Sequence, residues 1–400
     1  MKPMNKTLYK FYLDQRIQPT YADFCSEEEL NNYTLIRKNV FYRLMFLHTF
    51  FRDKKILEFG PDTGENSLVF ARWGAQLTLV EPNLEAHSYI RKYFSKFKLG
   101  SYLNDIAATD LLEFSPQQKF DVVDAEGFIY SIKPNSSWIK KVGKCLNYDG
   151  FLIISYMELY GGFIELLTKA IFHRVTSEKN YPADLETAKQ LFLSKWNRIK
   201  HSRKIESWFM DVIENPFVRM KYFIDSVELL DDMFNEGFRL YSSWPNYKDL
   251  HNVNWIKAPL VNEDDLKTSM SFIEQSRLSY FLGRKCFLTN LACRELSYNL
   301  LQLIKITDGL IDTWTQEDCL AAIEHVESIE KYLNQLYQKS CNGDLSGVTK
   351  NLTMIKSIFR FMTYDDVGTL VEFCRNDDIF SSSWGVPAHY AIFQRTKLSK

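Results

Sequence analysis

Neither sign of charge is in excess in this sequence: 49 lysines and arginines stand against 50 aspartates and glutamates, a formal charge of −1. A near-neutral chain sets up no long-range field for polyanions, so nucleic acid and anionic membrane are not expected partners. Any polyanion contact must be local. The seven cysteines (Cys25, Cys145, Cys286, Cys293, Cys319, Cys341, Cys374) are odd in number and scattered, with no C-x-x-C pair and no ligand-spaced histidines. They read as reduced and mostly packing, with Cys286 and Cys293 on one helix face, and no metal is expected. Met1–Lys10 has lysines but no apolar core, which argues against a secretory signal. No apolar run reaches membrane-spanning length; even Phe151–Leu167 is broken by Glu158, Gly161-Gly162 and Glu165. The expectation is a cytoplasmic protein without stable membrane insertion.

What is present is apolar matter in quantity. Four hundred residues at 46% hydrophobic and 15% aromatic can bury a large core, and the length fits two domains or one domain with a big insertion. The chain is organised around Lys54–Asn83. Ile56-Leu57 and Phe59 form an apolar run that stops at Gly60-Pro61, as a buried parallel strand does. Gly60 and Gly64 bracket a turn, Asn66–Trp73 fits a helix, and Leu77–Val80 is the next strand, ending at Glu81, 23 positions after Glu58. A dinucleotide fold needs G-x-G-x-x-G for its pyrophosphate. Here the second and third of those positions are Asp62 and Glu65, two carboxylates that would repel it.

Glu58-Phe59-Gly60-Pro61-Asp62-Thr63-Gly64 instead resembles the E-x-G-x-G-x-G loop of class I S-adenosylmethionine-dependent methyltransferases, with Asp62 in place of the middle glycine. The resemblance implies an α/β fold: a Rossmann-like, seven-stranded methyltransferase sheet with helices on both faces. It also implies S-adenosyl-L-methionine as cofactor, held by Glu58, Gly60, Asp62, Gly64 and Ala125, with Glu81 on the ribose hydroxyls. An acidic residue after the third strand (Ser101–Ile106) would accept from the adenine amino group. Asp110, ten positions before Phe120, has the family's spacing, and Asp105 is the alternative.

The succession that follows fits the same sheet. Phe120–Gly127 reads as the fourth strand, Trp138–Leu146 as a helix, Tyr148-Asp149-Gly150 as a turn, Phe151–Tyr156 as the fifth strand, Ile224–Gly237 as a helix and Phe238–Ser243 as the sixth strand. Trp384–Phe393 reads as a turn into a seventh strand, so that residues 248–383 form an insertion. The expected domains are a helical lead-in over 1–50, a cofactor-binding domain over 51–250, a mainly helical insertion over 251–380 and a returning strand over 381–400. Aromatic residues from Tyr33 to Phe51 either pack against the sheet or roof the cofactor; packing is the plainer reading. In the helical part, Thr315–Asp318 is a capping-box variant, and Ile323, Val326, Ile329, Leu333 and Leu336 follow at helical spacing.

Methyl transfer mainly needs acceptor and methyl aligned, an effect worth roughly 7–11 kcal/mol. For an oxygen acceptor a general base adds to this. Ligands of open α/β sheets lie beyond the strand C-termini, which brings Ala125–Tyr130 forward, with Glu126 and Tyr130 as catalytic candidates. His201, set among Lys195, Arg198, Lys200, Arg203 and Lys204, is a third, although the cluster also reads as a solvated face. Arg198 and Arg203 are candidates for an anionic group on the acceptor. The functional expectation is a methyltransferase acting on a small-molecule acceptor, on an oxygen of a sugar or sugar-like compound. Protein or lipid methylation, and a non-catalytic methyltransferase-like scaffold, are the alternatives. The helical insertion is expected to shape acceptor access or to mediate self-association into a homo-oligomer.

Overall fold

The computed structural model describes residues 7–15, 18, 23–176, 183–198, 204–248, 262–286, 293–339, 345–364 and 367–397. The chain opens with α1 (Leu8–Gln15) and α2 (Glu27–Arg43), followed by β1 (Lys55–Phe59), α3 (Glu65–Arg72), β2 (Gln76–Val80), α4 (Leu84–Lys96) and β3 (Leu103–Ala107). It continues through β4 (Phe120–Glu126), α5 (Asn135–Cys145) and β5 (Leu146–Met157) to α6 (Phe163–Val175), α7 (Ala183–Trp196) and α8 (Ile205–Trp208). After α9 (Ser226–Asn235) and β6 (Phe238–Trp244) come α10 (Asn262–Leu282), α11 (Cys293–Asp312), α12 (Gln316–Lys339), α13 (Ser346–Thr363), α14 (Val367–Asn376) and α15 (Asp378–Ser382). β7 (Ala388–Arg395) is last.

Two compact units result: Met1–Tyr156 with Val227–Ser269 and His389–Lys400, and Met157–Ser226 with Met270–Ala388. The first contains a seven-stranded sheet in the order β3-β2-β1-β4-β5-β7-β6. β1 pairs in parallel with β2 and β4, β2 with β3, and β4 with β5, whereas β6 and β7 run antiparallel. Covered on both faces, β1 buries Ile56 through Phe59 and β2 buries Leu77 through Val80, the near-continuous apolar runs of an internal parallel sheet. This is the expected α/β architecture, including the seventh strand.

The lead-in helix α2 starts at a capping box in which Ser26 Oγ accepts from Glu29 N (3.2 Å) and Glu29 Oε2 accepts from Ser26 N (3.1 Å). Glu27, Glu28 and Glu29 add favourable charge in its first turn. Phe41, Phe46 and Phe51 are buried with Leu68, Phe70 and Ile56, and Trp73 stacks on Phe51 at 5.4 Å. Most of the aromatic stretch is therefore packing; Tyr33 alone of those named in it hydrogen-bonds a site residue, as described below.

Three local readings need correction. The turn expected at Tyr148–Gly150 lies inside β5: the register steps from Phe120↔Leu146 to Val122↔Phe151, and Asp149 takes φ 63° to absorb the extra residues. The third strand starts at Leu103 because Gly100–Tyr102 forms a 3-10 turn. Cys286 and Cys293 do not share a helix: α10 ends at Leu282, before Gly283 at φ 62°, and Cys293 opens α11.

The second unit has its own core, with α6 and α11 through α13 contributing Leu167, Phe172, Leu300, Leu303, Val326, Ile355 and Phe359 among others. On α12, Cys319, Ala322, Val326, Ile329 and Leu333 are buried at steps of three and four, and Thr315 Oγ1 accepts from Asp318 N (3.1 Å) at its start. Gly161 approaches Val386 so closely that an added Cβ would lie 1.9 Å from the Val386 carbonyl oxygen. No helix among the described residues is long and apolar enough to cross a membrane.

Candidate functional site

The loop after β1 is shaped by three left-handed residues. Gly60 has φ 66°, and a Cβ there would stand 3.0 Å from the Phe128 ring that follows β4. Asp62 has φ 48°, so the residue replacing the middle glycine takes up a glycine-like conformation, which aspartate tolerates better than most residues. Gly64, at φ 91°, is the N-cap of α3, and its N–H donates to the Pro61 carbonyl (2.9 Å). Glu81, just past β2, ties this loop to its neighbour: its carboxylate accepts from Asp62 N (3.1 Å) and Asn83 N (2.8 Å). Burial pushes the Glu81 carboxyl up to about 8, against the pull of these two backbone donors.

Beneath the loop, Glu58 Oε2 accepts from Ser67 Oγ (2.6 Å). Burial raises Glu58 to about 7, the Ser67 hydrogen bond opposing. Glu58 pairs in register with Asp124, and Glu126 follows on the same face of β4. Arg37 from α2 reaches Glu126 with both terminal nitrogens, Nη1 to Oε2 (2.9 Å) and Nη2 to Oε1 (2.7 Å). Tyr33, one turn earlier on α2, donates to Asn66 Oδ1 (2.8 Å). Glu58, Gly60, Pro61, Asn66, Asp124 and Glu126 line a cavity of ≈ 40 Å³.

The remaining sequence candidates fall at different places. Ala125 is fully buried in β4 opposite Ile154, and Tyr130 is buried in the 3-10 turn Ile129–Ser131 just beyond that strand. Asp110 lies three residues past the end of β3, with Oδ1 accepting from Glu113 N (3.0 Å). Asp105 lies within β3, exposed, accepting from Ile106 N (2.8 Å). Arg198 belongs to the second unit and pairs with Asp378. His201 and Arg203 lie outside the described residues. Apart from these candidates, His389 is fully buried on β7, where Nδ1 meets Tyr247 Oη (2.5 Å), which in turn meets Tyr156 Oη (2.5 Å).

Sequence reasoning missed Arg37, Tyr33, Asn66 and Asp124 as parts of the site. Asp124 did leave a signal, an acid inside the buried run FDVVDA, whereas nothing local distinguishes Arg37 from other arginines. Chemically, the ensemble offers carboxyl groups and backbone donors around a glycine-shaped loop. That set suits a ligand carrying hydroxyls and positive charge, and opposes a pyrophosphate. Among the described residues no group of three or more His, Cys, Asp or Glu is placed to hold a metal ion.

Comparison with known proteins places this arrangement. The N-methyltransferase NodS from Bradyrhizobium japonicum shares 20% identity over 37% of this chain and 74% of that one, with a TM-score of 0.29. The CcbJ methyltransferase from Streptomyces caelestis shares 15% identity over 28% of this chain and 49% of that one, with a TM-score of 0.26. For the 1,6-didemethyltoxoflavin-N1-methyltransferase from Burkholderia thailandensis the values are 17%, 38%, 59% and 0.28. The chain thus spans about half the length of the Streptomyces protein it matches. No curated protein sequence matches it. A family described as "Methyltransferase domain" matches residues 36–243, just over half of the chain, taking in the C-terminal half of α2 with Arg37, the glycine loop, Glu81, the acidic end of β4 and the strands through most of β6. With that match over the loop and the first six strands of the sheet, the chain belongs to the methyltransferase domain family.

Proposed function

We propose that the chain transfers a methyl group from S-adenosylmethionine to a small-molecule acceptor. The observation that carries this reading is Glu81, whose buried carboxylate is aimed by the N–H groups of Asp62 and Asn83 beside the glycine loop, as a ribose-binding carboxylate needs to be. The residues fit such a ligand: the site is acidic, Gly60 leaves room that a Cβ would fill against Phe128, and no phosphate has to be accommodated. When bound, the cofactor supplies an activated methyl, so the protein's task is alignment and exclusion of water.

In this reading Gly60–Gly64 with Glu58 shape the loop, Ala125 lines the end of β4, and Asp110 receives the adenine amino group. Asp110 is favoured over Asp105 because it lies past the strand end, on the ligand edge of the sheet. Glu126 holds Arg37 and through it α2, and Tyr130 borders the acceptor. An oxygen of a sugar-like acceptor is the finer form of the proposal. Calorimetry with S-adenosylmethionine tests the donor: saturable binding that Glu81→Ala weakens is expected, and absence of binding by folded protein refutes it. Labelled donor incubated with metabolite, lipid and protein fractions tests the acceptor, and label found only on protein overturns the small-molecule assignment.

A further inference from the structure

The strand ends bearing the loop carry more acid than holding a ribose requires. Glu58 on β1 and Asp124 on β4 are register partners, and Glu126 lies two residues on, all three lining the same cavity. Two of the three have strong donors: Glu58 has the Ser67 hydroxyl and Glu126 has the Arg37 guanidinium. Asp124 differs. It is 1% exposed, and its Oδ1 has no hydrogen-bond partner. A buried oxygen left without a donor is costly until a ligand supplies positive charge.

Resting on the proposed methyl donor, we propose that Asp124, with Glu58 and Glu126, forms an acidic seat that favours the cationic donor over its uncharged-sulfur product. The step is a proton transfer. The Asp124 O–H bond breaks as the donor binds, the proton passes to solvent, and the carboxylate left behind would supply a counter-charge to the sulfonium. S-adenosylhomocysteine has the same ammonium, carboxylate, ribose and adenine, so a difference between the two ligands isolates the charge on sulfur. The groups setting the field are Glu58 on β1, Glu126 beside Asp124 on β4, Arg37 and Tyr33 on α2, Glu65 on α3 and Tyr390 on β7. Burial holds the Asp124 carboxyl well above the ordinary range, Glu126 and Glu58 add to this, and Arg37 opposes it. Burial and the neighbouring carboxyls therefore favour the protonated form of Asp124, which a bound cation opposes.

Calorimetric titration of the full chain at pH 7, in buffers of different ionisation enthalpy, reads proton release directly. About one proton is expected to leave on binding S-adenosylmethionine and none on binding S-adenosylhomocysteine, with donor affinity rising up to about tenfold per pH unit and product affinity flat. Asp124→Asn is expected to abolish the release and weaken the donor about tenfold while leaving product affinity within about twofold. Equal release with both ligands, or release that persists in Asp124→Asn, overturns the seat and leaves the donor assignment standing. Failure of folded wild type to bind either ligand overturns the assignment itself. If Asp124→Asn does not fold, the wild-type comparison of the two ligands decides alone.

Discussion

Arg37 and Glu126 stand 89 positions apart and meet in a two-pronged ion pair, with side chains only 6% and 9% exposed. One partner comes from the helix preceding the sheet and the other from the end of its fourth strand, so the pair fastens the lead-in helix to the site. Removing the guanidinium strands a buried carboxylate. Arg37→Met is expected to lower unfolding free energy by about 3–5 kcal/mol. Urea denaturation measures this, and a loss within the range of surface pairs would show that the clamp contributes little.

Stability should also fall with rising pH through Glu81. Its folded value, raised by burial to about 8, lies above the ordinary value of 4.5, so the folded protein keeps a proton that the unfolded chain has lost. The contribution is complete below about pH 4.5 and is lost on the way to about pH 8, at up to roughly 1.4 kcal/mol per pH unit. Glu58, raised to about 7, acts in the same direction. Urea midpoints of the free protein between pH 5 and 9 should decline, and Glu81→Gln should flatten part of that decline.

Gly60→Ala joins two costs, the left-handed conformation at about 1–2 kcal/mol and the approach to Phe128. The double variant Gly60→Ala/Phe128→Leu is expected to recover only the second. Comparing the unfolding free energies of single and double variants separates them, and full recovery would deny any backbone contribution.

Asp62→Gly restores the glycine that the loop lacks. Relief of the left-handed strain should stabilise the folded protein by about 1 kcal/mol, with the N–H donated to Glu81 retained. Because the Asp62 charge contributes to the upward shift of Glu81, the variant should also move the Glu81 titration downward, visible by NMR of the carboxyl carbon.

In the second unit, Gly161→Ala would force the Gly161 and Val386 backbones apart, since the new Cβ lies 1.9 Å from a carbonyl oxygen. A loss of more than about 3 kcal/mol is expected, at the upper end for overpacking. Thermal denaturation tests it.

The sheet was legible because its strands declare themselves locally: apolar runs ending at glycines, in the order a doubly wound fold requires. Gly60 and Glu81 were legible for the same reason, each lying just past a strand end, and Gly64 as the glycine that opens the following helix. The strand Leu146–Met157 was not, because its irregular stretch looks like a turn until the register with Phe120 and Val122 is known. Arg37 could not be read as a site residue, since its significance comes from a partner far along the chain and not from its neighbours. Asp124 could have been read, because an acid in a run of buried apolar residues needs a reason to be there.

The sheet order has a consequence for how the chain is made. β7 lies between β5 and β6, and among the described residues β6 has β7 as its one neighbour in the sheet. A chain emerging from its N-terminus presents β6 well before β7, with the helices from α10 to α15 made in between. Throughout that interval β6 has no strand to bond to, and the edge of β5 stands open. Closing the sheet is then a late, long-range event of the kind that folds slowly. A chain cut anywhere before Ala388 forfeits two strands, because the sixth reaches the others only through the seventh.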